Sequence, residues 1–275
     1  MPAEPAEPVE PGAGSTVPSD SANGSPVNGG SGTGSEWGSS PGLLEAGQVR
    51  AMFDRIAGVY DLLNSAMTAG LHHRWRERAV DVAQIGPGAR VLDVATGTGD
   101  LALELARRVA PGGEVVGCDF SEGMLARARE KARKAGANTR FEWGDALALS
   151  YPDDSFDAAT VGFGVRNFAD LSRGLAEMAR VVRPGGKVVV LEFTTPTRAP
   201  LSLFYRLWFD RAVPLLGRFS ADPEAYAYLP ESVKRFPDPA ALAAELERAG
   251  LGEIRWVLTA GGIVTIHSAT VVPEP

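Results

Sequence analysis

Four shortages in the sequence each exclude something. Cys118 is the only cysteine, so no disulfide forms within the chain and no thiolate cluster can hold a metal. It sits in the apolar run EVVGCD and reads as a small buried hydrophobe. No run of 18 apolar residues occurs, which excludes a membrane-spanning helix. There are three histidines; two of them, His72 and His73, are adjacent and cannot face one ion from a helix, and His267 lies far along the chain, so no metal is expected. Basic residues are missing from the first 49 positions. The first is Arg50, whereas Glu4, Glu7, Glu10, Asp20, Glu36 and Glu45 all precede it. A secretory signal needs a basic start and a transit peptide needs arginines, so neither is expected. Those six acids carry most of the net charge of −7. The rest of the chain is nearly neutral and gives no electrostatic case for binding nucleic acid.

Residues 1–41 contain one aromatic, Trp37, among Pro, Gly, Ser, Ala, Glu and Asn. That composition cannot bury enough apolar surface to offset the entropy of ordering, so a disordered acidic tail is expected. Residues 42–275 suffice for a single domain. Its expected parts are an N-terminal helical cap (42–88), a cofactor-binding core (89–195), a helical lid insertion (196–238), and a C-terminal helix and hairpin (239–275). The expected location is the cytoplasm.

Between 90 and 193, short apolar runs alternate with helical patterns. Strands are expected at 90–94, 114–119, 139–145, 155–164 and 187–193, and helices at 100–110, 121–136 and 171–186. In the second helix Ser121 can cap the start, Glu122 suits the positive end, and Gly136 stops it. Alternation with continuously apolar strands predicts an α/β fold with a mostly parallel sheet covered on both faces. Beyond it, Asp238-Pro239 opens a helix. IRWVLTA and IVTIHSATVV then form a hairpin around Gly261-Gly262. Two blocks, 46–82 and 200–220, are helical and lie outside the alternation, as lids over the sheet would.

VLDVATGTGD (91–100) reads as strand, glycine turn, helix. Gly97 and its neighbours leave backbone N–H groups open to a ligand. Asp119 ends the next strand, placed to accept both hydroxyls of a ribose. Asp145 follows the third strand at the same edge and suits an adenine amino group. Gly97, Gly99 and Ala102 also satisfy a loose dinucleotide pattern, so a nicotinamide oxidoreductase is an alternative. Against it stand Ala95-Thr96 ahead of the glycines, the acid after the third strand, and the terminal hairpin. The plainer reading of each acid is a helix cap or turn residue.

Through VLDVATGTG, GCDFS, GDA and RPGGKVVVLEF, the block 90–193 resembles the class I S-adenosylmethionine-dependent methyltransferases. The flanks narrow the likeness. MFDRIAGVYDLLNSAMTAGLHHRWR (52–76), GFGVRNF (162–168), EFTTP (192–196), YAYLPESVKRFPD (226–238) and GGIVTIHSA (261–269) resemble the ubiquinone/menaquinone biosynthesis C-methyltransferase family, over roughly 46–270. The resemblance implies a Rossmann-like, seven-stranded sheet with an antiparallel last strand. It implies S-adenosyl-L-methionine as cofactor, touched at Thr98, Asp119, Asp145 and Ala146. Its implied substrate is a prenylated demethylmenaquinol, with the benzoquinol of ubiquinone synthesis as the alternative. Gly162 stands where the family usually has serine, so a side-chain contact is lost there. A homodimer is compatible with the resemblance.

The implied reaction methylates a ring carbon beside a hydroxyl. It needs something to stabilise the phenolate, and it needs water excluded. Arg166 and Asn167, at the end of the fourth strand, are candidates for that stabilisation; the plainer readings are a surface salt bridge and a turn residue. Tyr60, on one helix face with Asn64, could reach the ring hydroxyl or be a core tyrosine. His72 occupies the family's histidine position and is the best formal base, though a structural histidine is the commoner case. LSLFYRLWFDRAVPLLGRF (201–219) reads equally as a greasy lid for a prenyl tail, in peripheral contact with the inner face of the cell membrane, or as ordinary packing helices broken at Pro214.

Overall fold

The computed structural model describes residues 46–58, 60, 61, 65, 68, 70–197, 199, 201–207 and 223–273. The expected 1–41 tail, Asn64 and the stretch 208–222 lie outside the described residues.

Seven strands form one sheet in the order β3-β2-β1-β4-β5-β7-β6. They are β1 (Arg90–Val94), β2 (Glu114–Asp119), β3 (Thr139–Trp143), β4 (Phe156–Gly162), β5 (Val182–Phe193), β6 (Leu251–Thr259) and β7 (Val264–Val271). The first five run parallel, and β7 is antiparallel to both β5 and β6. In β1, side chains alternate between two dry cores: Val91 packs on one face, and Leu92 and Val94 on the other, all fully buried. Both faces of the strand need apolar residues, which is why it reads as a continuous run.

The helices are α1 (Ala46–Ile56), α2 (His72–Val82), α3 (Asp100–Val109), α4 (Glu122–Ala135), α5 (Leu171–Val181), α6 (Leu201–Leu207), α7 (Pro223–Arg235) and α8 (Pro239–Arg248). One core joins the first face to α3 and α4 through Leu101, Leu105 and Leu125. The other joins the second face to α5 and α8 through Leu175, Met178, Leu242 and Leu246. Capping follows local chemistry. The Ser121 hydroxyl accepts from the Met124 N–H, Gly136 takes φ 61°, and Asp238 accepts from the N–H groups of Ala240 and Ala241.

The helix expected at 171–186 ends at Val181 instead. Val182 is already extended, and the Pro-Gly-Gly expected to follow the helix lies inside β5 as a register shift opposite Phe156–Ala158. Proline drives its predecessor out of the helical region, Gly185 sits at φ 80°, and a side chain at 186 would meet Asp157 O at 2.5 Å.

The strand order reverses between β1 and β4. That opens a crevice at the carboxyl edge, where ligands settle in open parallel sheets.

Candidate active site

The turn after β1 brings backbone and carboxylate together at this crevice. Ala95, Gly97 and Gly99 have φ of 50°, 56° and 82°. A Cβ at Gly99 would meet the Phe141 ring at 2.9 Å, so that position requires glycine twice over. Gly97 N–H donates to Asp119 Oδ2 at 2.8 Å, and Ser121 N–H donates to Oδ1 at 2.9 Å. Burial pushes the Asp119 carboxyl up to about 6, although these N–H bonds pull the other way. Asp145 Oδ1 accepts from Leu147 N–H at 2.9 Å. Asp93 lies on the cavity floor, its two oxygens accepting from the hydroxyls of Thr96 (2.6 Å) and Thr160 (2.7 Å). Burial raises it, too, to about 6.

Seven of the nine residues singled out in the sequence line this one cavity: Tyr60, Gly97, Thr98, Asp119, Asp145, Ala146 and Asn167. Val49 and Phe53 of α1 line it as well. Thr98 is a special case, because protein groups use its hydroxyl both ways. It donates to Asp61 Oδ1 at 2.6 Å and accepts from Lys131 Nζ at 3.0 Å. Lys131 also pairs with Asp61 (2.6 Å) and Asp100 (2.5 Å). Asp54 of α1 accepts from the Ser121 hydroxyl at 2.5 Å and from Gly123 N–H at 3.1 Å. The N-terminal segment is thus fastened to the start of α4 and to the glycine turn.

GFGVRN builds the opposite wall. Gly162 ends β4, and a side chain there would sit 3.0 Å from Leu101 Cδ2. Phe163 takes φ 60°. Gly164 presses so closely on Ala95 that a Cβ would approach its methyl to 2.6 Å. A 3-10 turn, Val165–Asn167, then puts Asn167 at the cavity and turns Arg166 inward.

Arg166 and His72 are not brought to the cavity wall. Arg166 Nη1 donates to Glu192 Oε1 at 2.5 Å and to Phe163 O at 2.6 Å, and its guanidinium lies over the Phe193 ring. Its bridge is buried, not on the surface: the two side chains are 5% and 0% exposed. Burial works against the Arg166 charge, but Glu192, with smaller contributions from Tyr60 and Tyr228, leaves it raised overall. Burial also raises the Glu192 carboxyl, against the pull of Arg166. His72 is buried on α2 with Nδ1 3.0 Å from the Thr68 hydroxyl. Burial first, then Arg76 and His73, lower it to about 4, so it is neutral at pH 7.

Three further groups were not singled out in the sequence. Glu192 ends a strand that reads as core. Tyr228 of α7 donates its hydroxyl to Asn167 Oδ1 at 2.8 Å across 61 positions. Arg76 lies four residues after His72, on the same helix face, and lines the cavity; that i,i+4 spacing was the one available signal. Among the described residues, no group of three or more His, Cys, Asp or Glu could hold a metal, and no helix is long and apolar enough to cross a membrane.

Comparison with known proteins identifies the fold and the family. Among solved structures, the fold is like that of a SAM-dependent methyltransferase from Aquifex aeolicus (21% identity, TM-score 0.54, 72% of this chain and 89% of that one). It is also like that of the cyclase SpnF (21% identity, TM-score 0.62, 83% and 97%). Identity at that level speaks for the fold alone. A demethylmenaquinone methyltransferase from Thermus thermophilus is 52% identical over 217 residues, 78% of this chain and 98% of the relative. One from Deinococcus radiodurans is 49% identical over 78% and 88%. A ubiquinone/menaquinone biosynthesis C-methyltransferase from Geobacter sulfurreducens is 42% identical over 82% and 90%. The model of the ubiE/COQ5 methyltransferase family matches residues 43–271. The dinucleotide alternative is thereby closed: the chain belongs to the ubiE/COQ5 methyltransferase family and is a methyltransferase.

Proposed function

We propose that the chain methylates a ring carbon of demethylmenaquinol, giving menaquinol. S-adenosyl-L-methionine is the methyl donor; it supplies a methyl group made electrophilic by its sulfonium. The observation that carries the reading is a single cavity with two chemically different ends. At the β2–β3 side stand Asp119, Asp145 and Ala146, fit to receive a ribose diol and an adenine edge. At the β4 side stand Tyr60, Phe163, Asn167 and Phe168, aromatic faces with two hydrogen-bonding tips, fit for a hydroxylated ring.

Asp119 accepts the ribose hydroxyls through lone pairs that Gly97 and Ser121 leave free. Asn167 spends its carbonyl on Tyr228, which leaves its NH₂ to donate toward a ring oxygen. Such a donor is worth more as the hydroxyl becomes phenolate, so it favours the reacting form. Arg166, tied to Glu192, fixes the turn that presents Asn167. Val49 and Phe53, with Tyr60, cover the cavity and exclude water. The exposed Leu203 and Leu207 of α6 support contact with a prenyl tail or the membrane that holds it.

The name of the Geobacter relative keeps the benzoquinol ring as a second reading. Purified enzyme, given S-adenosylmethionine and each reduced quinone separately, decides by mass spectrometry. One added methyl group on the naphthoquinol alone is expected. Methylation of the benzoquinol alone overturns the choice of ring, and methylation of neither overturns the proposal.

A further inference from the structure

α1 covers the cavity without joining the larger apolar cores. Val49 and Phe53 line the cavity, while Ile56 and Ala57 pack on Met124 in a small cluster of their own. Elements outside the main cores belong to the low-stability end of a fold. The polar fastening is Asp54. Its Oδ1 accepts from the Ser121 hydroxyl at 2.5 Å and from Gly123 N–H at 3.1 Å. Gly123 lets the two helices approach: a Cβ there would lie 3.1 Å from that same oxygen and 3.3 Å from Asp54 Cα. Asp54 is itself exposed, so water takes over its hydrogen bonds when α1 lifts, which keeps the cost of opening small.

The fastening falls on the residue that orients the ribose acid. Ser121 gives its hydroxyl to Asp54 and its N–H to Asp119. Further along the same segment, Asp61 accepts from the Thr98 hydroxyl and pairs with Lys131, which ties it to the glycine turn. Both loops that face the donor are therefore fastened to the segment that covers it.

We propose that α1 is a gate over the donor end of the cavity and that Asp54 is its latch. The donor enters, and its product leaves, only when Asp54 lets go of Ser121 and Gly123. This rests on the donor assignment above. Asp54 does not itself line the cavity. It is a positioning residue, acting through Ser121 and through the cover that Val49 and Phe53 form.

The test is the pair of association and dissociation rates of S-adenosylhomocysteine, read by surface plasmon resonance. Asp54→Ala is expected to raise both rates, each by about 3- to 10-fold, the effect of losing one or two exposed hydrogen bonds. The Kd should then change less than either rate, which a lost wall contact would not produce. Gly123→Ala should act in the same direction from the other side. Its methyl crowds Asp54, while alanine favours α4 itself. Should Asp54→Ala fail to fold, Gly123→Ala decides alone. A rise in dissociation alone, with Kd weakened in step, overturns the proposal and makes α1 a fixed wall. Unchanged rates in Asp54→Ala overturn it too, and so does slower association, which would make Asp54 a prop for the Asp119 loop. Wild type that does not bind S-adenosylhomocysteine overturns the donor assignment and the gate with it. That result is distinct from tight binding at rates that ignore Asp54.

Discussion

Arg166 and Glu192 face each other at 2.5 Å with almost no access to solvent, one from the turn after β4 and the other from the end of β5. Two desolvated charges hold the corner of the sheet that presents Asn167. Losing one partner strands the other, at a cost of about 3–5 kcal/mol, whereas replacing both with apolar groups costs much less. Glu192→Leu should therefore lower the melting temperature by roughly 10 °C, and adding Arg166→Met should recover most of the loss. Calorimetry of wild type and these two variants checks it; Glu192→Leu as stable as wild type would remove the pair from any structural role.

Tyr228 donates its hydroxyl to the Asn167 carbonyl oxygen, and in that arrangement the amide NH₂ is the end left for the proposed ring. Tyr228→Phe frees the amide to turn. We expect kcat to fall about tenfold, the effect of roughly 1.4 kcal/mol on the barrier, with affinity for S-adenosylhomocysteine unchanged. Steady-state rates and calorimetry separate the two. If homocysteine binding weakens in step with kcat, Tyr228 acts at the donor end and the assignment of Asn167 to the ring is lost.

How far the sequence could be read depends on the distance between interacting groups. The glycine turn, the Ser121 cap, the Gly136 stop and the Asp238-Pro239 start are written within a few residues, and each appears where local chemistry puts it. The acids at the ends of β2 and β3 were legible because a parallel sheet delivers every strand end to one edge. The end of α5 was not, because Pro184-Gly185-Gly186 punctuates a strand irregularity as readily as a helix terminus. Glu192 hides in an apolar run, and its partner is 26 positions away. The inward turn of Arg166 followed from that pairing, so reading it as a group facing the ring had no local signal to correct it. Thr98 shows the same limit: its hydroxyl answers to Asp61 and Lys131, far off in sequence on either side.

Asp119 should make donor binding pH-dependent. Its carboxyl lies near 6 in the folded protein, and only the ionised form offers every lone pair to the ribose hydroxyls. Affinity for S-adenosylhomocysteine is expected to be level above about pH 7 and to weaken as pH falls through 6. Asp119→Asn should bind weakly throughout and show a flatter profile. Calorimetry between pH 5 and 8 tests this, and a variant that keeps the full acid-side loss would move the titration to another group, Asp93 being the nearest candidate with the same raised value.

Stability should respond to pH far less than binding does, because opposed shifts cancel. His72 and His267 are each lowered to about 4, mainly by burial. Between 6.5 and 4 the unfolded chain binds protons on them that the folded chain does not, so acid works against folding. Asp93 and Asp119, raised from 3.8 to about 6, do the reverse: the folded chain binds the extra protons, and acid favours it. Glu192 is raised as well and adds to the carboxylate side. Asp100 and Glu177 are lowered and act below this window. Urea unfolding of wild type should therefore be nearly level from pH 6.5 to 4.5. Removing one histidine unbalances it. His267, stacked on Trp256 and bonded through Nε2 to Pro239 O at 2.9 Å, lies away from the cavity. Whatever it loses in packing, His267→Gln should gain stability on acidification, relative to wild type, by up to about 1.4 kcal/mol per pH unit, the value of one linked proton. Asp119→Asn should tilt the other way. Parallel pH profiles for wild type and both variants would mean that burial does not hold these groups off their ordinary values.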